Sequence, residues 1–96
     1  MLSQIYYLVR SKADGRYLIA HLEQRPSDDS GYLLLFGEYS EALSYLNTHG
    51  GDVVEQFAIE SLPSTQLGAL LKRWNFTGVG IVRDPLLPKI EFLSDA

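Results

Sequence analysis

Two helical patterns alternate with three short apolar runs in the middle of this chain, and that alternation constrains the fold more than any other feature. The apolar runs lie at residues 32–36 (YLLLF), 55–62 (EQFAIESL) and 78–82 (GVGIV), and each predicts a β-strand. Between them, apolar residues recur at three- and four-residue steps, which predicts two amphipathic helices. A strand–helix–strand–helix–strand order predicts two right-handed crossovers that leave the three strands parallel.

The first predicted helix ends at Gly50-Gly51, since glycine is favoured just after the last turn of a helix. Acidic Glu38 and Glu41 lie in its first turn, where they interact favourably with the helix dipole. Its apolar stripe, which we expect to face the core, consists of Tyr39, Ala42, Leu43 and Leu46.

The second predicted helix begins at Ser64, a favourable N-cap residue. The basic residues Lys72 and Arg73 lie in its last turn, and Asn75 suits the left-handed residue that ends many helices. The apolar positions at i, i+3, i+4 and i+7 are Leu67, Leu70, Leu71 and Trp74. We therefore expect Trp74 to belong to the core and not to a nucleic-acid-binding face.

Further strand patterns flank this central region on both sides. Residues 5–22 predict a β-hairpin whose turn contains Asp14-Gly15, because that pair tolerates positive φ angles. Residues 83–88 (RDPLLP) predict a turn, and residues 89–93 (KIEFL) predict a final strand. Residues 23–31 form a long polar loop, for which the sequence leaves both a functional and a merely connecting role open.

Together these patterns predict an α+β fold with an α/β-like core, in a single domain over residues 1–96. The elements follow the order ββ-β-α-β-α-β-β, and we expect one mixed sheet of about six strands with two helices. A chain of 96 residues fits one domain and is long enough to bury a hydrophobic core.

The chain contains no cysteine, which excludes a disulfide framework, a thiolate nucleophile and cysteine-ligated zinc. Its N-terminus lacks the basic region of a signal peptide, and no apolar run approaches the roughly 18 residues of a membrane span. These observations predict a cytoplasmic protein that has no membrane partner.

Charge is distributed unevenly along a chain whose net charge is −4. Between Arg25 and Lys72 there are seven acidic residues and no Lys or Arg, whereas the rest of the chain holds all eight bases and five acids. Nucleic-acid binding needs clustered bases, so we expect no nucleic-acid partner. Three explanations of the acidic middle stay open: solubility alone, a face that steers a basic partner, or docking of a second copy in reverse.

Motifs that would indicate an enzyme or a cofactor are weak. The Gly78-Val79-Gly80 run follows a predicted helix, whereas a phosphate-binding glycine loop precedes one, so we expect Gly80 to allow close packing instead. His21 and His49 lack partners at the spacing of a metal site or a catalytic site. We therefore predict a non-enzyme with no catalytic residue, no metal and no cofactor.

One set of residues follows the predicted parallel strands, at the edge where open α/β sheets tend to bind ligands. The candidate ligand- or partner-binding residues there are Glu38, Tyr39, Ser64, Arg83 and Asp84. The functional interpretation is a small polar site or a peptide-docking edge centred on Arg83. The structural interpretation is that Asp84-Pro85 builds a turn and that Arg83 pairs with Asp84 or Glu38.

The stretch from residue 32 to residue 85, YLLLFGEYSEALSYL … FAIESLPSTQLGALLKRWNFTGVGIVRDP, resembles the N-terminal domain of the SseB family. The shared pattern is a strand ending in an aromatic residue, a helix, a strand, a Ser-capped leucine helix and a glycine-led strand before a proline turn. Asp84-Pro85 stands where that family usually has Asn-Pro. The whole sequence is also similar to small uncharacterised conserved proteins of cyanobacteria. The SseB resemblance implies a non-enzymatic α/β module, in some members tied to protein–protein contacts, and implies no catalytic residue.

Two functional hypotheses follow from these observations. The first is a small non-enzymatic interaction or adaptor module, whose partner is another protein or a second copy in a homodimer. It is favoured by the six Tyr residues, because Tyr is enriched at interfaces, and by strand edges that can pair with another chain. The alternative is a small-ligand or anion-binding regulatory domain that uses Glu38, Ser64 and Arg83 at the strand ends.

Overall fold

A computed structural model describes residues 4–21 and 31–94 of the chain. Its strands are β1 (Ile5–Ser11), β2 (Ile19–Ala20), β3 (Tyr32–Leu35), β4 (Phe57–Pro63), β5 (Gly78–Asp84) and β6 (Lys89–Ser94). Its α-helices are α1 (Tyr39–His49) and α2 (Leu67–Trp74), and two short 3-10 helices span Gly51–Gln56 and Ser64–Gln66. The predicted α+β class and the predicted order of strands and α-helices are therefore confirmed. The predicted loop at residues 23–31 lies outside the described residues, except for Gly31.

The strands form two sheets, whereas the sequence predicts a single one. The first sheet pairs β1 with β4 antiparallel, and the second has the strand order β2-β3-β5-β6. Isolated bridges from Tyr7 to Phe36 and from Arg10 to Tyr17 connect the two sheets. Within the four-stranded sheet, β3 and β5 run parallel, and the other neighbouring strands run antiparallel.

Strand β4 runs in the same direction as β3 and β5, as predicted, because β1 is antiparallel both to β4 and to the end of β3. β4 pairs with β1, and β1 bridges to the end of β3. Leu8 and Val9, at the centre of β1, are 1% and 0% exposed, although their side chains point to opposite faces. A strand that is apolar on both faces is favoured in the interior of a sheet, and β1 lies between β4 and the end of β3.

The N-terminal hairpin is shorter than predicted. Its turn forms at Asp14-Gly15 as expected, with Gly15 at a φ of 72° and the Ser11 N–H donating to the Arg16 carbonyl at 2.8 Å. The second arm stays beside β1 only as far as Leu18, whose N–H donates to the Val9 carbonyl at 2.8 Å. The chain then diverges, and β2 pairs with β3 instead.

Helices α1 and α2 pack on opposite faces of the strands. Buried residues of α1 share a cluster with Val9, Leu34, Phe36 and Val82. Leu71 of α2 shares a cluster with Leu8, Leu33, Leu35, Leu62 and Val79. Because successive strand residues point to opposite faces, these alternating sets place one helix on each side. The four residues of β3 are all buried, which makes β3 the centre of both cores.

The apolar stripe of α1 is only half buried, and this part of the prediction is wrong. Ala42 and Leu46 are 0% and 5% exposed, as expected. Tyr39 and Leu43 are 54% and 41% exposed. The buried face is rotated towards Tyr45, whose ring lies 5.3 Å from that of Phe36. The face of α1 that contacts the sheet is therefore narrower than its apolar stripe. Tyr39 and Leu43 lie on the flank of the helix, beside that face.

Helix α2 ends as predicted but begins differently. Asn75 has a φ of 57°, and the N–H groups of Phe76 and Asn75 donate to the carbonyls of Leu71 at 2.9 Å and Lys72 at 3.2 Å. This is the bonding of a Schellman motif. Ser64 is not the N-cap, because it opens the 3-10 helix and its carbonyl accepts the N–H of Leu67. Leu67, Leu70 and Leu71 face the core as expected, whereas Trp74 is half-buried at its margin, with its ring 5.0 Å from that of Tyr17.

Candidate functional site

A pocket of about 240 Å³ lies where β3 and β5 end and β1 begins. Its lining residues are Gln4, Tyr6, Gly37, Glu41, Ile81, Val82 and Arg83. The pocket occupies the edge at which the parallel strands β3 and β5 present their carboxyl ends, the usual position of ligands in open α/β sheets. We refer to it as the edge pocket.

Arg83 contributes the positive charge of the edge pocket. Its Nε and Nη2 atoms donate to Oε1 of Glu91 on β6, at 3.0 Å and 2.7 Å. The predicted pairing of Arg83 with Asp84 or Glu38 is therefore wrong, because the β5–β6 ladder places Glu91 beside Arg83. Both side chains are at least half exposed, at 57% and 50%, so the pair contributes only about 0–1 kcal/mol. An anion in the pocket would compete with Glu91 for the guanidinium.

Asp84 serves the turn between β5 and β6. Its Oδ1 atom accepts the N–H of Leu86 at 2.9 Å and the N–H of Leu87 at 3.3 Å. The predicted turn role of Asp84-Pro85 is thereby confirmed. Asp84 does not line the edge pocket, although it directly follows a residue that does.

The other three predicted site residues lie around the edge pocket without lining it. Glu38 occupies the N-cap position of α1 and makes no side-chain cap. Tyr39 packs edge-to-face against Tyr7, with 6.2 Å between the ring centroids. Ser64 donates its backbone N–H to the Gln4 carbonyl at 2.8 Å. Of the five predicted residues, only Arg83 lines the pocket.

Sequence reasoning missed Gln4, Tyr6 and Glu41 as pocket residues. The hydroxyl of Tyr6 donates to Oε1 of Gln4 at 3.2 Å, so these two side chains form one polar wall. Gln4 and Tyr6 reach the site only because β1 lies beside the end of β3, which is a pairing distant in sequence. The position of Glu41 could have been predicted from the sequence, since the first turn of a helix that follows a parallel strand lies near the carboxyl end of that strand.

Two titratable groups with shifted pKa values lie away from the edge pocket. Burial raises the pKa of Tyr45, because the phenolate would lose its hydration. The backbone N–H of Arg16 donates to the Asp14 carboxylate at 3.0 Å and lowers the pKa of that carboxyl group. Neither group takes part in the chemistry of the pocket.

Within residues 4–21 and 31–94, no group of three or more His, Asp or Glu side chains is arranged to hold a metal ion. His49 instead contacts the turn after β5, with its Nε2 atom 3.0 Å from the Pro85 carbonyl oxygen. In the same described part of the chain, no helix is both long enough and apolar enough to cross a membrane.

Comparisons of the chain with protein-family models, with curated proteins and with solved structures found no match. The resemblance of residues 32–85 to the SseB N-terminal domain therefore stays a prediction.

Proposed function

We propose that the protein is a non-enzymatic interaction module that pairs with a second copy of itself through β6. The observation that carries this proposal is the position of β6 at the end of the four-stranded sheet, where, among residues 4–21 and 31–94, only β5 pairs with it. A free strand edge presents a row of backbone N–H and C=O groups that can pair with another strand. Three of the most exposed apolar side chains belong to β6 or to the turn before it: Leu86 (62%), Leu87 (76%) and Leu93 (46%).

The charges of β6 favour one antiparallel register between two copies. When Ile90 lies opposite Ile90 of the second copy, each Lys89 faces a Glu91 across the interface. Opposite charges in directly facing strand positions contribute roughly 0.2–1 kcal/mol per pair. The same register brings Leu87 near Leu93 of the second copy, which covers the two apolar side chains. A register centred on Glu91 would instead place two carboxylates opposite each other.

Sedimentation equilibrium of wild-type protein and of Lys89→Glu tests the proposal. The substitution places glutamate opposite glutamate in the favoured register, so we expect the dimer to weaken strongly. Lys72→Glu is the matched control, because it makes the same charge change at an exposed position of α2. Circular dichroism checks that both variants are folded. A wild-type protein that stays monomeric at all accessible concentrations, or equal weakening by both variants, would show that β6 does not pair in this way.

A second candidate function is the binding of a small anionic ligand in the edge pocket. The observation in its favour is the pocket itself, about 240 Å³ in volume, with Gln4, Glu41 and Arg83 among its walls. A thermal-shift screen of anionic metabolites tests it, since a ligand at 100 times its Kd stabilises the folded state by about 2.7 kcal/mol. Arg83→Ala should remove the shift, and Arg73→Ala on α2 should not. No shift with any compound would reject this candidate.

A further inference from the structure

An apolar patch lies on the α1 side of the molecule, on a surface separate from β6. It consists of Ile5, Tyr7, Tyr39 and Leu43, and we call it the α1–β1 patch. Ile5, Tyr39 and Leu43 are 47%, 54% and 41% exposed.

The four residues of the α1–β1 patch form one continuous surface. Tyr39 and Leu43 are one helical turn apart on the flank of α1. The ring of Tyr39 packs edge-to-face on Tyr7, at 6.2 Å between centroids. Ile5 is two residues before Tyr7 on the same strand and thus on the same face of the sheet. Single exposed apolar residues are ordinary, but a contiguous group of this kind marks an interaction surface.

The surroundings of the α1–β1 patch are acidic. Neither residues 4–9 nor residues 26–71 contain any Lys or Arg. Glu38 lies at the start of α1, next to Tyr39, and Glu41 lies in the first turn but lines the edge pocket together with Arg83. Asp52 and Glu55 are exposed on the 3-10 helix that follows α1. The patch is therefore built from segments that supply only negative charge.

The opposite side of the molecule carries basic residues. Lys72 and Arg73 are exposed on α2, and α2 packs on the face of the strands opposite to α1. Of the described acidic residues in the middle of the sequence, Glu38, Glu41, Asp52 and Glu55 belong to α1 or its flanks, whereas Glu60 lies on the α2 face and pairs with Arg10 at 3.7 Å. A field of this kind steers an oppositely charged partner to the α1 side and orients it there.

We infer that the α1–β1 patch binds a basic amphipathic segment of another protein. Such a segment places its apolar residues on Ile5, Tyr39 and Leu43, and its Lys or Arg side chains beside Glu38 and the neighbouring acids. The charge of the surface disfavours a nucleic acid.

A second copy of this chain is a poor occupant of the same patch. A contact between the acidic α1 side of one copy and the basic α2 side of the next uses two different surfaces. Such a head-to-tail contact leaves one surface free at each end and propagates into open chains. A symmetric contact between two copies of the patch would instead place Glu38 of one copy near the acidic residues of the other. The partner is therefore a different chain, and this inference does not depend on the pairing of β6.

Fluorescence anisotropy with a labelled peptide tests the inference on the full chain. The probe is an amphipathic peptide of Leu and Lys with leucines at helical spacing. One control peptide replaces every Lys by Glu, and another replaces every Leu by Ser. We expect the Leu/Lys peptide to bind, the Leu/Glu peptide not to bind, and the Lys/Ser peptide to bind at least about tenfold more weakly. Added salt should weaken the binding of the Leu/Lys peptide, because exposed charges are screened.

The double variant Tyr39→Ser/Leu43→Ser should weaken the binding of the Leu/Lys peptide by roughly tenfold or more, as truncation of central interface residues does. Val53→Ser is the control, because Val53 is 42% exposed, as much as Leu43, but lies outside both the patch and β6. Leu43→Lys is a second variant, which keeps a long side chain but repels a basic segment. An equal loss in Val53→Ser and the double variant, unchanged binding in Leu43→Lys, equal binding of the Lys/Ser peptide, or no binding of the Leu/Lys peptide would overturn the inference.

Discussion

Two glycine-to-alanine substitutions, at Gly80 in β5 and at Gly68 in α2, should change stability in opposite directions. A Cβ atom at Gly80 would lie 3.1 Å from Ile90 Cγ2, 3.1 Å from Leu34 Cδ2 and 3.2 Å from Phe92 Cε1. Carbon atoms in ordinary contact are about 3.5–4.0 Å apart, so each neighbour must move by about half an ångström. A Cβ atom at Gly68 would meet no atom within 4 Å.

The structure sets the magnitude of both effects. Ile90 and Phe92 belong to an edge strand and have room to shift, but Leu34 is 2% exposed in the central strand and has none. Overpacking of this kind costs about 1–3 kcal/mol, and the lower backbone entropy of the unfolded alanine chain offsets about 0.4–1 kcal/mol. We expect Gly80→Ala to destabilise by roughly 1–2 kcal/mol. Gly68→Ala creates no steric overlap, and the higher helix propensity of alanine should stabilise the fold by roughly 0.5–1 kcal/mol.

Thermal and urea unfolding measure both variants against the wild type. For a domain of this size, each kcal/mol shifts the midpoint by about 4–8 °C, so the two melting temperatures should move clearly apart. The unfolded state gains the same methyl group in both variants, so a difference in sign reports on the folded surroundings alone. If both substitutions stabilise the protein, or if Gly80→Ala is neutral, the close packing of Leu34, Ile90 and Phe92 around Gly80 is not as described.

Two further predictions concern Tyr45 and Asn75. Burial raises the pKa of Tyr45 in the folded protein, so the unfolded state ionises first as the pH rises above about 10, and the free energy of unfolding falls. Tyr45→Phe should reduce this loss of stability at alkaline pH, measured by urea unfolding. An unchanged loss would show that Tyr45 is not its source. Asn75 has a left-handed φ of 57°, so Asn75→Val should lower the free energy of unfolding by about 1–2 kcal/mol, whereas Asn75→Gly should change it little. Equal effects of the two substitutions in thermal unfolding would argue against backbone strain as the cause.

Local signals in the sequence were sufficient for the turns, the C-terminal ends of both helices and the order of elements. The positive φ angles of Gly15 and Asn75 follow from the residue types alone, because few side chains tolerate that conformation. The core-facing leucines of α2 follow from helical spacing alone, whatever they pack against. Predictions of this kind succeed because the interactions concerned span only a few residues.

The partners of the strands and the depth of each helix face were decided by the tertiary structure. β1 lies beside the end of β3, and this brings Gln4 and Tyr6 into the edge pocket although they are far from Arg83 in sequence. Glu91 forms the ion pair with Arg83 because the pairing of β5 with β6 places the two side chains next to each other.

The amino-acid sequence by itself determined which segments are strands and helices, where they turn, and that the acidic residues are concentrated in the middle of the chain. It did not determine that Glu38, Glu41, Asp52 and Glu55 lie away from the bases of α2, because that depends on α1 and α2 packing on opposite sides of the strands. Nor did it determine that Tyr39 and Leu43 are exposed. An apolar stripe shows roughly which side of a helix faces the core, but not which residues at the edge of the stripe are buried. The physical reason is that strand pairing and helix placement minimise the exposed apolar surface of the whole chain at once, and no local pattern encodes that sum.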